Sequence, residues 1–211
     1  MLSTDSYINA LGIPAEVVFM IRSKRKKTLS RLVSNQPFPP YAYVPLHWPH
    51  PTRDPKGHSY GEGHVKSASL LSELKKEAGT WRRCRPYLYG IDLFNHGYYW
   101  EAHDAWESVW LACGRKGITA DFLKGLIKLA AAGVKAREGR KRRVQQQAKR
   151  AEELFRQTAN AVGSQKENYM GLSLDRLIRF AKRLRHHPIA VNSKDNNSVK
   201  VVFRFKLRPL L

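Results

Sequence analysis

Apolar side chains recur every three or four positions through most of the chain after residue 86, which is the spacing of an amphipathic helix. The pattern is clearest over 119–138, where Phe122, Leu126 and Leu129 fall on one stripe. The sequence Asn-His-Gly at 95–97 interrupts it, because Asn and Gly tolerate the left-handed conformation that ends a helix. The pattern predicts five helices, at about 86–95, 98–113, 119–138, 140–162 and 173–184. The fold class that follows is an all-α, compact helical bundle.

The segment before the bundle has the composition of an extended strap. Residues 36–64 are rich in proline, which lacks the backbone donor of a helix and restrains the residue before it. Aromatic residues are interspersed with the prolines, and a solvated linker would contain fewer of them; they are Phe38, Tyr41, Tyr43, Trp48 and Tyr60. We therefore predict a proline-rich, extended N-terminal strap that packs over the core and leads into a short helix over 65–79.

Beyond residue 198 the hydrophobic period changes to two. Apolar positions alternate there with mostly basic ones, and the apolar positions are Val199, Val201, Phe203, Phe205 and Leu207. A period of two predicts a short C-terminal β-strand. A strand needs a partner, and the pattern allows either the strap near residues 41–48 or a second subunit of a homodimer.

These patterns divide the chain into four parts. We predict a basic, flexible N-terminal arm at 1–35, the strap with its short helix at 36–80, the helical domain at 81–187, and a linker with the C-terminal strand at 188–211. The apolar run near the N-terminus is interrupted by Glu16 and followed by basic residues, so we predict neither a signal peptide nor a membrane helix. Two cysteines are too few for a disulfide framework, and a cytoplasmic location is the expectation.

The excess of positive charge indicates which partners the protein could bind. The chain has 38 Lys and Arg against 17 Asp and Glu, a formal net charge of +21. Such an excess attracts polyanions, and RNA or DNA phosphates are the partners it favours. Between residues 135 and 150 only Glu138 is acidic, although a solvated helix face usually mixes signs. The residues predicted to contact nucleic acid are Arg137, Arg140, Lys141, Arg142, Arg143, Lys149 and Arg150.

The predicted helix 98–113 has the highest density of candidate functional side chains in the chain. At 100° per residue, His103 falls between a stripe of aromatic residues and a stripe of carboxylates. His103 and Glu107 are four positions apart, so their side chains can meet. The aromatic side chains and one amide around them are expected to build the core or a pocket wall; they are Trp100, Trp106, Trp110 and Asn95.

Three interpretations of this helix remain open. In the first, His103 and Glu107 bind a divalent metal such as zinc, iron or manganese, with Asp104 or Glu101 in support. The strap histidines and His96 are then candidates for the remaining ligands. In the second, Glu107 orients His103 as a general base. In the third, Glu107 only satisfies a half-buried His103 by a hydrogen bond.

The segments LFNHGYYWEAHDAWESVW and FLKGLIKLAAAGVKAREG resemble the DUF309 family of bacterial and archaeal proteins over about residues 86–160. The family motif, His-x-x-x-Glu-x-x-Trp/Tyr, matches His103, Glu107 and Trp110. The resemblance implies a compact all-helical domain of unknown function. This motif has been suggested to bind metal in the family, so the resemblance also implies a metal site here.

The chain departs from the family pattern beside this motif. Lys128 stands where Gln is common, and Lys124 lies one turn earlier. If either lysine faces Glu107, it would neutralise the carboxylate in place of a metal. The sequence contains no complete set of nucleophile, base and orienting residue, and neither a phosphate loop nor a dinucleotide fingerprint. The expectation is therefore a divalent-metal-binding domain centred on His103 and Glu107, and the alternative is a basic nucleic-acid-binding module in which this pair is structural. An enzyme is less expected, and it would be a metal-dependent hydrolase.

Overall fold

A computed structural model describes residues 30–61, 80–163, 167–191 and 197–210, and the statements below concern those ranges. The chain divides after Arg31 into two units, and the fold described here is that of the second, Leu32–Leu211. Its described residues form five helices: α1 (Arg85–His96), α2 (Tyr99–Ala112), α3 (Ile118–Arg137), α4 (Lys141–Val162) and α5 (Leu174–His186). Strands β1 (Asn168–Tyr169) and β2 (Leu172–Ser173) pair antiparallel between α4 and α5. The predicted all-α class is confirmed.

The predicted break at 95–97 is confirmed, and identifiable cap residues end α1 and begin α5. Gly97 has a left-handed backbone with φ of 95°, and its N–H bonds to carbonyls of the last turn of α1. A Cβ at Gly97 would also lie 2.7 Å from the carbonyl oxygen of Lys200, so two independent constraints favour glycine there. At the start of α5, the Ser173 hydroxyl accepts a hydrogen bond from the Arg176 N–H.

Helix α3 is the centre of the bundle, and its glycines admit aromatic rings from both neighbours. A Cβ at Gly133 would lie 2.4 Å from the ring of Tyr99 on α2, and one at Gly125 would lie 2.5 Å from the ring of Phe155 on α4. These rings fill the space that larger side chains would occupy. The layers therefore follow chain order, with α2 and α4 on either side of α3.

Residues 30–61 contain neither helix nor strand, and buried carboxylates of α1 and α2 hold them by their backbone. Both oxygens of Asp92 accept hydrogen bonds, from the N–H of Leu32 at 2.9 Å and of Val33 at 2.8 Å. Glu101 Oε1 accepts from the Tyr43 N–H at 2.8 Å. The predicted helix at 65–79 and most of the predicted arm lie outside the described residues.

The predicted C-terminal β-strand is wrong, since no strand is assigned over 197–210. Helix side chains take the place of a neighbouring strand. The Asn95 amide bonds both the N–H and the carbonyl of Leu207 at 2.8 Å. The Tyr99 hydroxyl accepts from the N–H groups of Val202 and Phe203 at 3.0 and 3.2 Å, and burial raises the pKa of Tyr99 to about 12.

The predicted alternation holds only for part of this C-terminal segment. Phe203 and Leu207 are buried, as predicted, and Arg204 and Arg208 are exposed. Val201 was predicted to face inward but is 47% exposed. The segment is thus an extended tail docked on α1, α2 and α5. None of the described helices is both long and apolar enough to cross a membrane.

Candidate functional site

Two of the predicted pocket residues are structural. Trp106 is fully buried, and its ring nitrogen donates to the Tyr87 carbonyl oxygen at 3.1 Å. A Cβ at Gly90 would lie 2.3 Å from that ring nitrogen, so α1 and α2 approach closely here. Asn95 holds the C-terminal tail as described above. Both residues therefore build the scaffold, in line with the core alternative of the sequence analysis.

Glu101 lies on the side of α2 that faces the strap. Its Oε1 accepts from the Tyr43 N–H and lies 3.3 Å from His58 Nε2. Both side chains of the Glu101–His58 pair are almost completely buried. Glu101 Oε2 is buried without a hydrogen-bond partner among the described residues. Glu101 is therefore bound to the strap, and His58 is a partner that sequence reasoning did not single out.

Trp100 joins an aromatic cluster with the strap. Its ring meets those of Tyr43 and His50 edge-on, with centroids 5.4 and 5.5 Å apart. A second pair, Tyr41 and Trp48, stacks within the strap at 5.3 Å. Trp100 thus contributes to the contact between α2 and the strap.

His103 lies on a different face of α2, half-buried between carboxylates and lysines. Burial lowers the pKa of His103, Glu107 and Asp104 raise it, and Lys128 and Lys124 lower it further. The net shift is downward, so the imidazole is neutral at physiological pH. Within the part of the chain that the structure describes, neither a hydrogen bond nor an ion pair joins His103 to Glu107. The direct contact required by the second and third interpretations is not formed.

The two lysines that depart from the family pattern do lie on this face. Lys124 Nζ is 3.9 Å from the centroid of the Trp110 ring, a cation–π contact. Burial lowers the pKa of Lys128, the charges of Lys124 and Arg150 lower it further, and Glu107 raises it. Glu107 and Lys128 are therefore close enough to interact electrostatically.

These positions divide the four predicted metal ligands. His103, Asp104 and Glu107 share one region of α2, whereas Glu101 is bound to the strap. Across the described ranges, no three His, Cys, Asp or Glu side chains are grouped so that they could hold a metal ion. The described side chains do not by themselves complete a metal centre around His103.

Most of the residues predicted to contact nucleic acid lie on α4, which packs antiparallel to α5. Gln145 Nε2 donates to the Arg185 carbonyl oxygen at 3.2 Å, so the first turns of α4 lie beside the last turns of α5. Glu152 is buried between the helices and forms ion pairs with Arg156 at 3.0 Å and Arg185 at 3.4 Å. Two basic clusters that are distant in sequence, 137–150 and 179–187, therefore meet at one end of the bundle.

The cations in the first cluster are not equivalent. Arg140 pairs with Glu138 at 3.1 Å, and Arg150 pairs with Glu153 at 3.0 Å. Arg143 bonds the side chain of Gln146 at 3.3 Å. The exposed cations of this cluster for which the described residues offer no ion pair are Lys141, Arg142, Arg143 and Lys149.

Arg137 differs from its neighbours because it is buried. Its Nη2 donates to the Asn197 carbonyl oxygen at 2.6 Å, which ties the end of α3 to the C-terminal tail. Only 6% of Arg137 is exposed. Its assignment to a phosphate-contacting surface is therefore corrected to a structural role.

Comparison with known protein families identifies part of the helical domain. The fold defines a small helical domain whose second helix carries the His103–Glu107–Trp110 motif. Residues 87–146 match the family model described as "Domain of unknown function (DUF309)", which supports the resemblance over this range. The matched range runs from α1 into the first turns of α4 and contains the whole motif. No curated protein matches the chain.

Proposed function

We propose that the paired faces of α4 and α5 bind the phosphates of nucleic acid. The observation that carries this proposal is the antiparallel packing that brings the clusters 137–150 and 179–187 together through the Gln145–Arg185 contact. Neither cluster alone distinguishes a binding surface from a solvated helix face. Their convergence where α4 and α5 pack together is what supports a shared binding surface.

The acids on these helices do not offset this charge. Helix α4 carries six Lys and Arg against two Glu, and α5 carries five against one Asp. Each of the three acids is already paired with arginine: Glu152 with Arg156 and Arg185, Glu153 with Arg150, and Asp175 with Arg179. Unpaired lysine and arginine side chains remain at the surface, and phosphate contacts are what such side chains supply.

Fluorescence anisotropy with a labelled RNA or DNA, measured over a series of salt concentrations, tests the proposal. The variant Lys141→Gln/Arg142→Gln removes two exposed cations of α4. Each lost phosphate contact reduces the slope of log affinity against log salt by about one, so we expect the slope to fall by about two. Affinity should fall for all sequences alike, because phosphates carry no sequence information.

The chain offers a charge-matched control at the other end of the bundle. Arg115 and Lys116 are exposed in the turn before α3. The 20 residues of α3 separate this turn from the start of α4 by about 30 Å. Arg115→Gln/Lys116→Gln should leave affinity nearly unchanged. Binding that is indifferent to salt, or equally weakened by both double variants, would refute a localised phosphate surface.

We retain divalent-metal binding at His103 as a second candidate, because one observation favours it. Burial keeps this imidazole neutral, which is the form that ligates a metal, and Glu107 and Asp104 are close enough to act on its pKa. The test is elemental analysis of the purified, untagged protein beside His103→Ala. A near-stoichiometric metal that is lost in a folded variant would support this candidate. A metal-free, folded wild type would remove it.

A further inference from the structure

An open groove of about 520 Å³ lies between α5 and the C-terminal tail. Its volume is in the range of sites that bind small organic groups. Four arginines surround an apolar floor that includes two phenylalanines; these residues are Arg176, Arg179, Arg183, Arg204, Phe180 and Phe205. The described lining contains no carboxylate side chain. The groove therefore combines positive charge with flat apolar surface.

The floor is a rigid aromatic platform. Phe205 stacks on Phe180 with centroids 4.2 Å apart and planes 6° from parallel. Phe180 in turn packs against the ring of Phe203 at 5.3 Å, and Phe203 is buried in the core. Phe205 keeps part of its surface exposed. A planar group in the groove would meet a ring that is already held in place, at little cost in side-chain entropy.

The arginines around this platform are mostly available to an anion. Arg179 pairs with Asp175 at 2.6 Å. Arg183 and Arg204 are exposed and have no acidic partner among the described residues. The Arg176 guanidinium lies over the Phe205 ring, 5.8 Å from its centroid, as a cation–π contact. The ligand that complements this groove has both a planar apolar face and negative charge.

We propose that this groove binds single-stranded nucleic acid, with unpaired bases stacking on Phe205 and phosphates bound by the surrounding arginines. Aromatic rings interleaved with cations are the combination that tracks a single strand. The bases of a duplex are paired and stacked, so their faces cannot reach a ring at the protein surface. This inference rests on the proposed function, and it adds that the preferred form is single-stranded.

The groove and the α4–α5 surface lie on opposite flanks of the same helix. Arg176 and Arg183, seven positions apart, are on the flank of α5 that borders the groove. Arg185 is on the flank that contacts α4. A strand that crosses the exposed face of α5 would therefore contact both regions.

The test compares three probes of similar charge: a short oligothymidylate, an abasic oligonucleotide of equal length, and a duplex. Binding is measured by anisotropy at about 50 mM salt, where phosphate contacts are strong. We expect the oligothymidylate to bind at least about fivefold more tightly than the abasic strand, because each stacked base adds affinity. Phe205→Leu should abolish that difference, and Phe205→Tyr, which keeps the ring, should preserve it.

A charge variant keeps the test decisive if Phe205→Leu fails to fold. Arg183→Gln/Arg204→Gln removes two exposed cations without touching the stacked rings. It should weaken oligothymidylate binding several-fold more than Arg115→Gln/Lys116→Gln does. Equal effects of these two double variants would overturn the groove as the binding site.

The outcomes separate this inference from the proposed function. If the wild type binds none of the probes at low salt, both fail. If it binds all three equally and Lys141→Gln/Arg142→Gln weakens them equally, the phosphate surface stands and the groove inference is overturned. If the oligothymidylate preference survives Phe205→Leu in a folded protein, the bases stack elsewhere and the inference is again overturned.

Discussion

Two faces of α2 each carry a glutamate close to a histidine, and the two glutamates have different surroundings. On one face, Glu101 accepts a backbone N–H from the strap and contacts His58, and both side chains are buried. On the other face, Glu107 and His103 make no direct hydrogen bond within the described chain, and lysines lie close by. A carboxylate whose lone pairs are used by backbone donors is part of the scaffold. Within the described chain, Glu107 interacts with its charged neighbours only electrostatically.

Asp92 on α1 is a buried carboxylate like Glu101, and its substitution should cause the largest loss of stability. Asp92 is 1% exposed, and its two oxygens accept the N–H groups of Leu32 and Val33. Asp92→Ala removes both of these charge-assisted hydrogen bonds, so the free energy of unfolding should fall by about 3 kcal/mol. Urea unfolding measures the loss. Asp92→Asn keeps one acceptor and should lose less; a loss equal to that of Asp92→Ala would contradict this account.

Glu101 should show a smaller loss of the same kind. Glu101→Ala leaves the Tyr43 N–H and His58 without their shared acceptor, so we expect a loss of about 2 kcal/mol. A double-mutant cycle with His58→Ala isolates the side-chain part of this interaction. The matched variant on the other face is Glu107→Ala, which breaks no hydrogen bond of the described chain and should cost much less. Equal losses from the two substitutions would erase the distinction between the faces.

The pKa of His103 tests the other face of α2, which carries His103 and Glu107. Because the pKa is lowered in the folded protein, the unfolded chain binds more protons once the pH falls below about 6.5. Stability contributed by neutral His103 is therefore complete above that pH and decreases as the pH falls toward the folded pKa. NMR titration of the imidazole should place its pKa below 6.5.

Substitutions of the neighbours should move this pKa in opposite directions. Glu107→Gln removes a negative charge and should lower the pKa of His103 further, whereas Lys128→Met removes a positive charge and should raise it. The same titration measures both variants. A pKa that moves in neither variant would mean that neither Glu107 nor Lys128 contributes to the shift.

The smallest expected effect concerns Lys124 and Trp110. Their cation–π contact is partly exposed, and contacts of this kind contribute about 0.5–1 kcal/mol. Lys124→Met keeps the apolar stem and removes the charge, so urea unfolding should detect a loss of that size or less. A larger loss would show that Lys124 stabilises the acidic face as well.

Sequence reasoning succeeded where the information is local. The break at 95–97 appears as predicted, because it depends on a few neighbouring residues that tolerate a left-handed backbone. The family motif was also recognisable over a short stretch. The isolated Asp92, which lies among apolar neighbours in the first helix, was a signal that could have identified the buried carboxylate.

The errors come from contacts between distant segments. The tail beyond residue 198 has the alternation of a strand, yet Asn95 and Tyr99 supply hydrogen-bonding partners that a ladder would have supplied. Arg137 belongs to a basic run in sequence, but the Asn197 carbonyl draws it into the interior. Neither outcome depends on the residues next to it in the chain.

The sequence by itself determined the five helices, the apolar stripes that pack them and the excess of positive charge. Helical periodicity and net charge are properties of the chain that need no tertiary partner. Only the tertiary structure decided that Glu101 binds the strap, that two basic clusters meet across α4 and α5, and that Phe205 stacks on Phe180 within a ring of arginines. Those contacts follow from which surfaces the helices bury against one another, and burial joins residues far apart in the chain.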